Sequence, residues 1–445
     1  MKYKTHYNSI LRLGTPIVLG QLGNIIQGFI DTIMVGHYSA EALSSAGFVT
    51  NIFNLGIVAL IGFSYGATPI IGAFYGRKDN DNVGASFKDS IYANAICGAF
   101  IIFIYTLLYF NIHNLGQPEE LLPIMRPYFF IFLLTMPFIV MFNCFKQFTD
   151  TVAATKTAMW TIIAGTITNI ILNYLLIYGL CGLPEMGLTG AGIATLIARI
   201  LMVLMLYIFI KKQKKFRVYS NGYRKHKTKS KDVYTLFRVG TPLGLQMGME
   251  TASFSLASLL MGWLGATELA AFQVMCITGS LCFLVYYGIG AASSIRMSHF
   301  RGRGDWTNVH HCANASLHII LISAVILSTL IAVLRNEFAA IFTADSEIQT
   351  MFTALLMPML AYQISDGIQT NYANALRGIQ VTKPLGLYAF ISYICLALPI
   401  SYIMGFTFNM GAIGVAYGLP IGLTTAAVLY YTRFKKEISK ELSAL

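Results

Sequence analysis

The stretch LRLGTP at 11–16 returns as FRVGTP at 237–242, an offset of 226 residues. At the same offset Gly36 meets Gly262, Ala40 meets Ala266, Leu43 meets Leu269 and Gly62 meets Gly288. Gly76, Arg77 and Asp79 likewise meet Gly302, Arg303 and Asp305, so the match runs ungapped for about seventy residues. The chain is two copies of one unit. Most of each copy is apolar: of 445 residues 56% are hydrophobic and 11% charged, with a mean hydropathy of +0.63. Soluble domains run near a quarter charged and disordered chains are less apolar, so both classes are excluded. At ~20–24 residues per bilayer crossing the length accommodates on the order of twelve crossings and leaves no room for an ATPase or kinase module.

Apolar runs at 13–36, 50–73, 91–112, 126–149, 158–180, 187–210, 240–262, 271–295, 313–334, 351–373, 385–406 and 411–432 are the expected spans. The net charge of +12 lies between them. With the N-terminus inside, every Lys and Arg except Arg126, Arg335 and the intraspan Arg199 falls on the inner side, which fixes the orientation and puts both termini in the cytoplasm. The strongest contributor is the run from Lys211 to Arg238, with eleven basic residues. Lying between two spans, it reads as an inner-leaflet anchor and linker rather than a nucleic-acid surface. The expected organisation is an N-lobe at 1–210, a basic cytoplasmic linker at 211–239 and a C-lobe at 240–445. Seven cysteines without a CxxC imply no disulfide framework. The first apolar run holds Asp31 and is too long for a signal segment, so it reads as a retained span.

Because six is even, both copies enter the membrane in the same orientation. The expectation is an all-α membrane protein of twelve transmembrane helices, in two six-helix bundles related by a pseudo-two-fold axis along the membrane normal. Such pairs enclose a cleft near mid-membrane and expose it alternately by rocking. Prolines 16, 69, 137, 242, 358, 399 and 420 lie inside spans and bend them. Gly414, Gly418 and Gly422 recur every four residues, the spacing of close helix packing.

A charge deep in a bilayer costs ~2.5–3.5 kcal/mol or more unless paired or hydrated, and so marks function. Asp31, Arg199, Glu250 and Asp366 are the charges this reading places deep in spans. Tyr362 lies a turn before Asp366 and Gln369 nearly a turn after, giving one polar face. Asn169 and Asn173 share a face in the fifth span, which suits interhelical hydrogen bonding as well as a binding role. Three acids against one arginine make a net negative interior, suited to a proton, a metal cation or an organic cation. Arg199 is either an internal counter-charge or a snorkelling side chain.

Enzyme signatures are weak. GFSYG at 62–66 spells GxSxG inside an apolar helix rather than at a strand–turn–helix elbow, and neither a Walker A motif nor HExxH occurs. His310 and His311 are neighbours without a ligand cluster. No enzymatic activity and no nucleic-acid partner are expected.

Five stretches carry a family resemblance: QLGNIIQGFIDTIMVG (21–36), FTDTVAATKTAMW (148–160), ITNIILNYLLIYG (167–179), GTPLGLQMGME (240–250) and YQISDGIQTNYANALRGIQVTKP (362–384). In these the chain resembles the multidrug and toxic compound extrusion (MATE) family, in its NorM-like branch, over essentially its whole length. The resemblance implies a multi-pass transporter of the plasma membrane, in bacteria the inner membrane. It would export cationic amphipathic drugs by antiport with Na⁺ or H⁺ without a resident cofactor; nothing in the sequence requires more than a monomer among membrane lipids. It implies a coupling-cation site at Glu250, Asp366 and Tyr362, and an N-lobe cavity for substrate or proton at Asp31, Asn169 and Asn173. A related branch carries Asp where this chain has Asn173, which shifts the expected coupling to the C-lobe acids. The alternative is a lipid-linked glycan flippase of the same superfamily fold, whose anionic cargo calls for a basic cleft.

Overall fold

The structure is a computed structural model that describes residues 3–115, 118–343 and 345–443. Among these residues no strand occurs, and twelve long helices follow one another. They are α1 (Lys4–Tyr38), α2 (Ala40–Ser64, resumed as Ala67–Gly76), α3 (Asn80–Phe110), α4 (Leu122–Thr151), α5 (Thr155–Tyr178), α6 (Gly187–Lys212), α7 (Ser230–Leu264), α8 (Ala266–Gly302), α9 (Trp306–Val333), α10 (Leu356–Gly378), α11 (Lys383–Thr407) and α12 (Gly411–Ser443). Short helices Lys214–Arg217 and Ser220–Lys225 lie on the basic linker.

Among the described residues, ten helices are long and apolar enough to cross a membrane. The two that are not, α7 and α10, carry Glu250 and Asp366. Their polar side chains lower the apolar average, and α10 turns most of its residues toward other helices instead of outward. Large apolar side chains such as Phe29, Phe100, Phe103, Trp160 and Trp263 are exposed on helix surfaces, as lipid contact requires. The chain is a multi-pass membrane protein.

Several helices outrun their apolar centres. At 1.5 Å per residue the 35 residues of α1 extend ~52 Å, well beyond a hydrocarbon core of ~30 Å. The second span, expected from residue 50, begins at Ala40, where Ser39 caps it by accepting a hydrogen bond from the Ala42 amide. The tenth, expected to end at 373, continues to Gly378 and takes Arg377 with it. Hydropathy finds the apolar centre of a helix, whereas the backbone ladder continues until a cap or turn stops it.

The chain divides into two compact units. One consists of Leu19–Ala67 and Lys78–Gly244, the other of Met1–Val18, Thr68–Arg77 and Leu245–Leu445. In the first, Phe53 packs on Tyr105, Phe129 and Phe132 at the centre of an apolar core, and the Tyr105 hydroxyl accepts from the Gly56 amide at 2.9 Å.

In the second unit α10 lies against α8, α9 and α12. The glycine stripe of α12 seats α11: a Cβ on Gly418 would stand 2.7 Å from the Ala397 carbonyl oxygen, and one on Gly422 2.9 Å from that of Ser392. The same unit holds a reciprocal clasp. Arg77 Nε donates to the Gly302 carbonyl at 2.8 Å and Arg303 Nε to the Gly76 carbonyl at 2.9 Å. A Cβ on Gly76 would meet the His299 carbonyl at 2.1 Å, and one on Gly302 that of Ala73 at 2.1 Å. Each contact is the other's image under the 226-residue offset. The following turn repeats too, with Asp79 capping through the Asn82 amide at 3.1 Å and Asp305 through Asn308 at 3.0 Å.

Candidate functional site

Glu250 on α7 and Asp366 on α10 belong to one polar cluster. The carboxamide of Gln369, buried on α10, joins its parts: Nε2 donates to Glu250 Oε2 at 3.3 Å and to the Tyr393 hydroxyl at 2.7 Å. Thr370 Oγ1 lies 3.1 Å from Gln369 Oε1 and 3.4 Å from Asp366 Oδ1, so its single proton serves one or the other. The two carboxylates thus lie at the ends of one run of polar contacts through Gln369 and Thr370, in which one Thr370 contact at a time is a hydrogen bond. Tyr362, one turn before Asp366, reaches α8 at Gly279, where a Cβ would stand 1.4 Å from its hydroxyl; only glycine leaves that space. Phe254 of α7 meets the Tyr362 ring edge-on with centroids 6.2 Å apart. Arg377, buried near the end of α10, lies within electrostatic reach of Glu250.

The other unit brings Asp31, Asn169, Asn173 and Arg199 together. Asn173, fully buried on α5, donates to Asp31 Oδ1 and, at 3.3 Å, to Asn169 Oδ1, and Asn169 donates to Thr195 of α6 at 3.2 Å. Among the described residues Asn173 Oδ1 is buried without a hydrogen-bond partner. Gln27 also hydrogen-bonds Asp31, and the Arg199 guanidinium, against Met202 Sδ at 3.8 Å, lies within electrostatic reach of it.

The charge tally read from the sequence needs correction. Lys146 and Asp150 are both buried on α4 and paired at 2.8 Å, and Arg377 is buried as well. Setting aside Asp89, buried against His226 near the start of α3, four acids, Asp31, Asp150, Glu250 and Asp366, stand with three bases, Arg199, Lys146 and Arg377. The excess of one negative charge falls on the cluster of Glu250 and Asp366. Spacing along the chain counted Lys146 and Arg377 as inner-side charges at span ends, but neighbouring helices cover them. The i,i+4 placement of Lys146 and Asp150 next to an apolar run was the available signal. Tyr393 carried none, because nothing in its own stretch points to Gln369.

Among the described residues a converging set of metal-type donors occurs at Asp89, His226 and Asp232 rather than at His310 and His311. His226 Nε2 lies 2.9 Å from Asp89 and 3.9 Å from Asp232, and Lys88 donates to the His226 carbonyl at 2.8 Å. These contacts of His226 tie the basic linker to α3.

The MatE family model matches residues 16–175 and 242–403, one stretch in each repeat copy. The chain belongs to the MatE family. The multidrug resistance protein NorM of Vibrio cholerae is 29% identical to this MatE protein, over 96% of this chain and 95% of its own length. That of Vibrio vulnificus is 28% identical, over 97% and 96%. Among solved structures, the outward-facing conformation of a multidrug resistance MATE family transporter of the MOP superfamily superposes with a TM-score of 0.88 at 20% identity, covering 98% of this chain and 96% of that one. At that identity the likeness is one of fold.

Proposed function

We propose that this MatE protein exports cationic, amphipathic small molecules across the bacterial inner membrane in exchange for Na⁺ or H⁺, with both termini in the cytoplasm. The observation that carries the reading is the Glu250–Gln369–Thr370–Asp366 cluster. It brings two acids of the interior, with Arg377 as the base within electrostatic reach, into one polar cluster that keeps an excess negative charge, in a family whose curated relatives are named multidrug resistance proteins. Burial penalises the charged form of a carboxylate, so such a pair gains by taking up either a proton or a metal cation. Tyr362, reaching past Asp366 to α8, supplies a further oxygen and an aromatic face. The cation is cargo, and no resident cofactor enters the scheme.

Asp31, backed by Asn169 and Asn173, is the counterpart for the organic cation, held against Arg199 until a positively charged substrate displaces that guanidinium's attraction. Exchange follows if cation and drug each bind the two facings of the carrier unequally, since a ligand without differential affinity shifts nothing. The lobes 1–210 and 240–445, joined by the linker 211–239, are the bodies that would rock, within a single monomer. A lipid-linked glycan flippase would have to place its anionic headgroup against Glu250 and Asp366, which the excess negative charge there opposes.

The test is ethidium efflux from proteoliposomes under a Na⁺ gradient or a pH gradient, for the wild type, Glu250→Gln and Asp366→Asn. Gradient-driven efflux in the wild type, lost in both variants at equal insertion, is the expected result. Wild-type coupling in both variants would overturn the assignment, and the gradient that drives efflux identifies the ion.

A further inference from the structure

α11 is irregular where it faces the acid cluster. Residues Phe390–Ala397 and Ile403–Thr407 are wound as π-helix, on either side of the short α-helical turn Leu398–Tyr402. The physical cause lies in the sequence. Pro399 has no N–H for the Cys395 carbonyl four residues back, and its ring crowds that carbonyl, so the turn before it widens. A widened turn re-aims side chains, and the one aimed inward is Tyr393, 2% exposed, whose hydroxyl receives the Gln369 N–H at 2.7 Å. The other side of the same segment, Ser392 and Ala397, is pressed against Gly422 of α12. Tyr393 therefore connects the amide that joins the two carboxylates to the segment of the helix whose backbone is least regularly wound.

We infer that Tyr393 is a positioning residue of the cation site, holding the Gln369 amide toward Glu250 and passing the occupancy of the site to the π-helical segment of α11. This rests on the proposed cation coupling at Glu250 and Asp366. The two N–H groups of Gln369 are shared between Glu250 and Tyr393, and its oxygen faces Thr370. A cation arriving between the carboxylates attracts an amide oxygen and repels amide hydrogens, so it favours rotation of the carboxamide. That rotation removes the donor from Tyr393, and a buried hydroxyl deprived of its partner drives a local rearrangement to regain one. The wound-out turn can supply the movement because its hydrogen-bond register already has a neighbour, the ordinary α-helical one, with the same residues in reach.

The experiment measures ethidium efflux in proteoliposomes as a function of Na⁺ at fixed pH, and of pH without Na⁺, for the wild type, Tyr393→Phe, Tyr393→Ala and Glu250→Gln. Ethidium binding to the purified protein is measured alongside. Tyr393→Phe keeps the ring and its packing and removes only the hydroxyl. It is expected to shift the half-maximal concentration of the coupling cation by about threefold to tenfold, the worth of one hydrogen bond, while ethidium affinity stays at the wild-type value. A wild-type midpoint in Tyr393→Phe overturns the inference, and so does a defect confined to Tyr393→Ala, which would reveal packing alone. Loss of coupling in Glu250→Gln with a wild-type Tyr393→Phe removes only the role of Tyr393. Full coupling in Glu250→Gln removes the cation-site reading and this inference with it.

Discussion

Replacing Gly76 by alanine should loosen the reciprocal clasp between the end of α2 and the end of α8. The new Cβ would stand 2.1 Å from the His299 carbonyl oxygen, whereas an ordinary C···O approach is ~3.3 Å, so the helices must separate by about 1.2 Å. A displacement of that size carries the Arg77–Gly302 and Arg303–Gly76 bonds, now 2.8 and 2.9 Å, toward ~4 Å and out of hydrogen-bonding range. Overpacking of this kind costs ~1–3 kcal/mol, against ~0.5–1 kcal/mol gained by exchanging a helical glycine for alanine. The net of about 0–2.5 kcal/mol, centred on ~1.2 kcal/mol, corresponds to a roughly 8-fold, and at most ~70-fold, larger population of the unclasped form. Hydrogen exchange read by mass spectrometry should therefore accelerate by that factor in residues 67–76 and 296–303, if those amides exchange through opening of the clasp. Gly47→Ala is the control, because nothing lies within 4 Å of a Cβ there, and it should leave exchange unchanged or slower. Gly76→Ala with wild-type exchange in both segments would refute the reasoning.

Lys146→Met should lower the yield of folded protein, since it strands Asp150 in the interior at a cost of ~3–5 kcal/mol, whereas Lys146→Met with Asp150→Leu should recover most of it; thermal stability in detergent decides, and equal loss in both would show that the pair is not the cause. Asp31→Asn removes the counter-charge of Arg199 and should weaken ethidium binding, with stability partly restored by adding Arg199→Gln; an additive loss in the double variant would deny that the two act on each other. Gly279→Ala should push the Tyr362 hydroxyl from its seat, 1.4 Å from the new Cβ, and shift the cation dependence of efflux while membrane levels hold; unchanged dependence would remove Tyr362 from the cation site.

Each of these outcomes depends on tertiary contacts, yet much of the frame that holds them was readable beforehand. The 226-residue repeat, the apolar runs and the inner-side bias of Lys and Arg are properties of composition and spacing, and a bilayer responds to those directly. Backbone groups must be satisfied within each crossing, so apolar length alone dictates helix. The four-residue glycine stripe of α12 and the acids at 31, 250 and 366 were visible for the same reason, because a small or charged residue in an apolar run stands out whatever surrounds it. Periodicity also placed Tyr362, Asp366 and Gln369 on one face of α10.

Only the tertiary structure decided what covers each face. Lys146, Asp150 and Arg377 are buried by neighbouring helices, and no pattern along α4 or α10 records the neighbours. The Gln369–Tyr393 bond joins residues on α10 and α11 whose approach depends on a turn widened next to Pro399, and Gly279 makes room for a tyrosine eighty-three positions later in the chain. The sequence by itself determined a duplicated, twelve-helix membrane protein with acids in its interior, because hydrophobicity and charge act residue by residue. Which polar atoms meet was settled by packing, because a hydrogen bond depends on the positions of two groups in space and a sequence specifies those only through the whole fold.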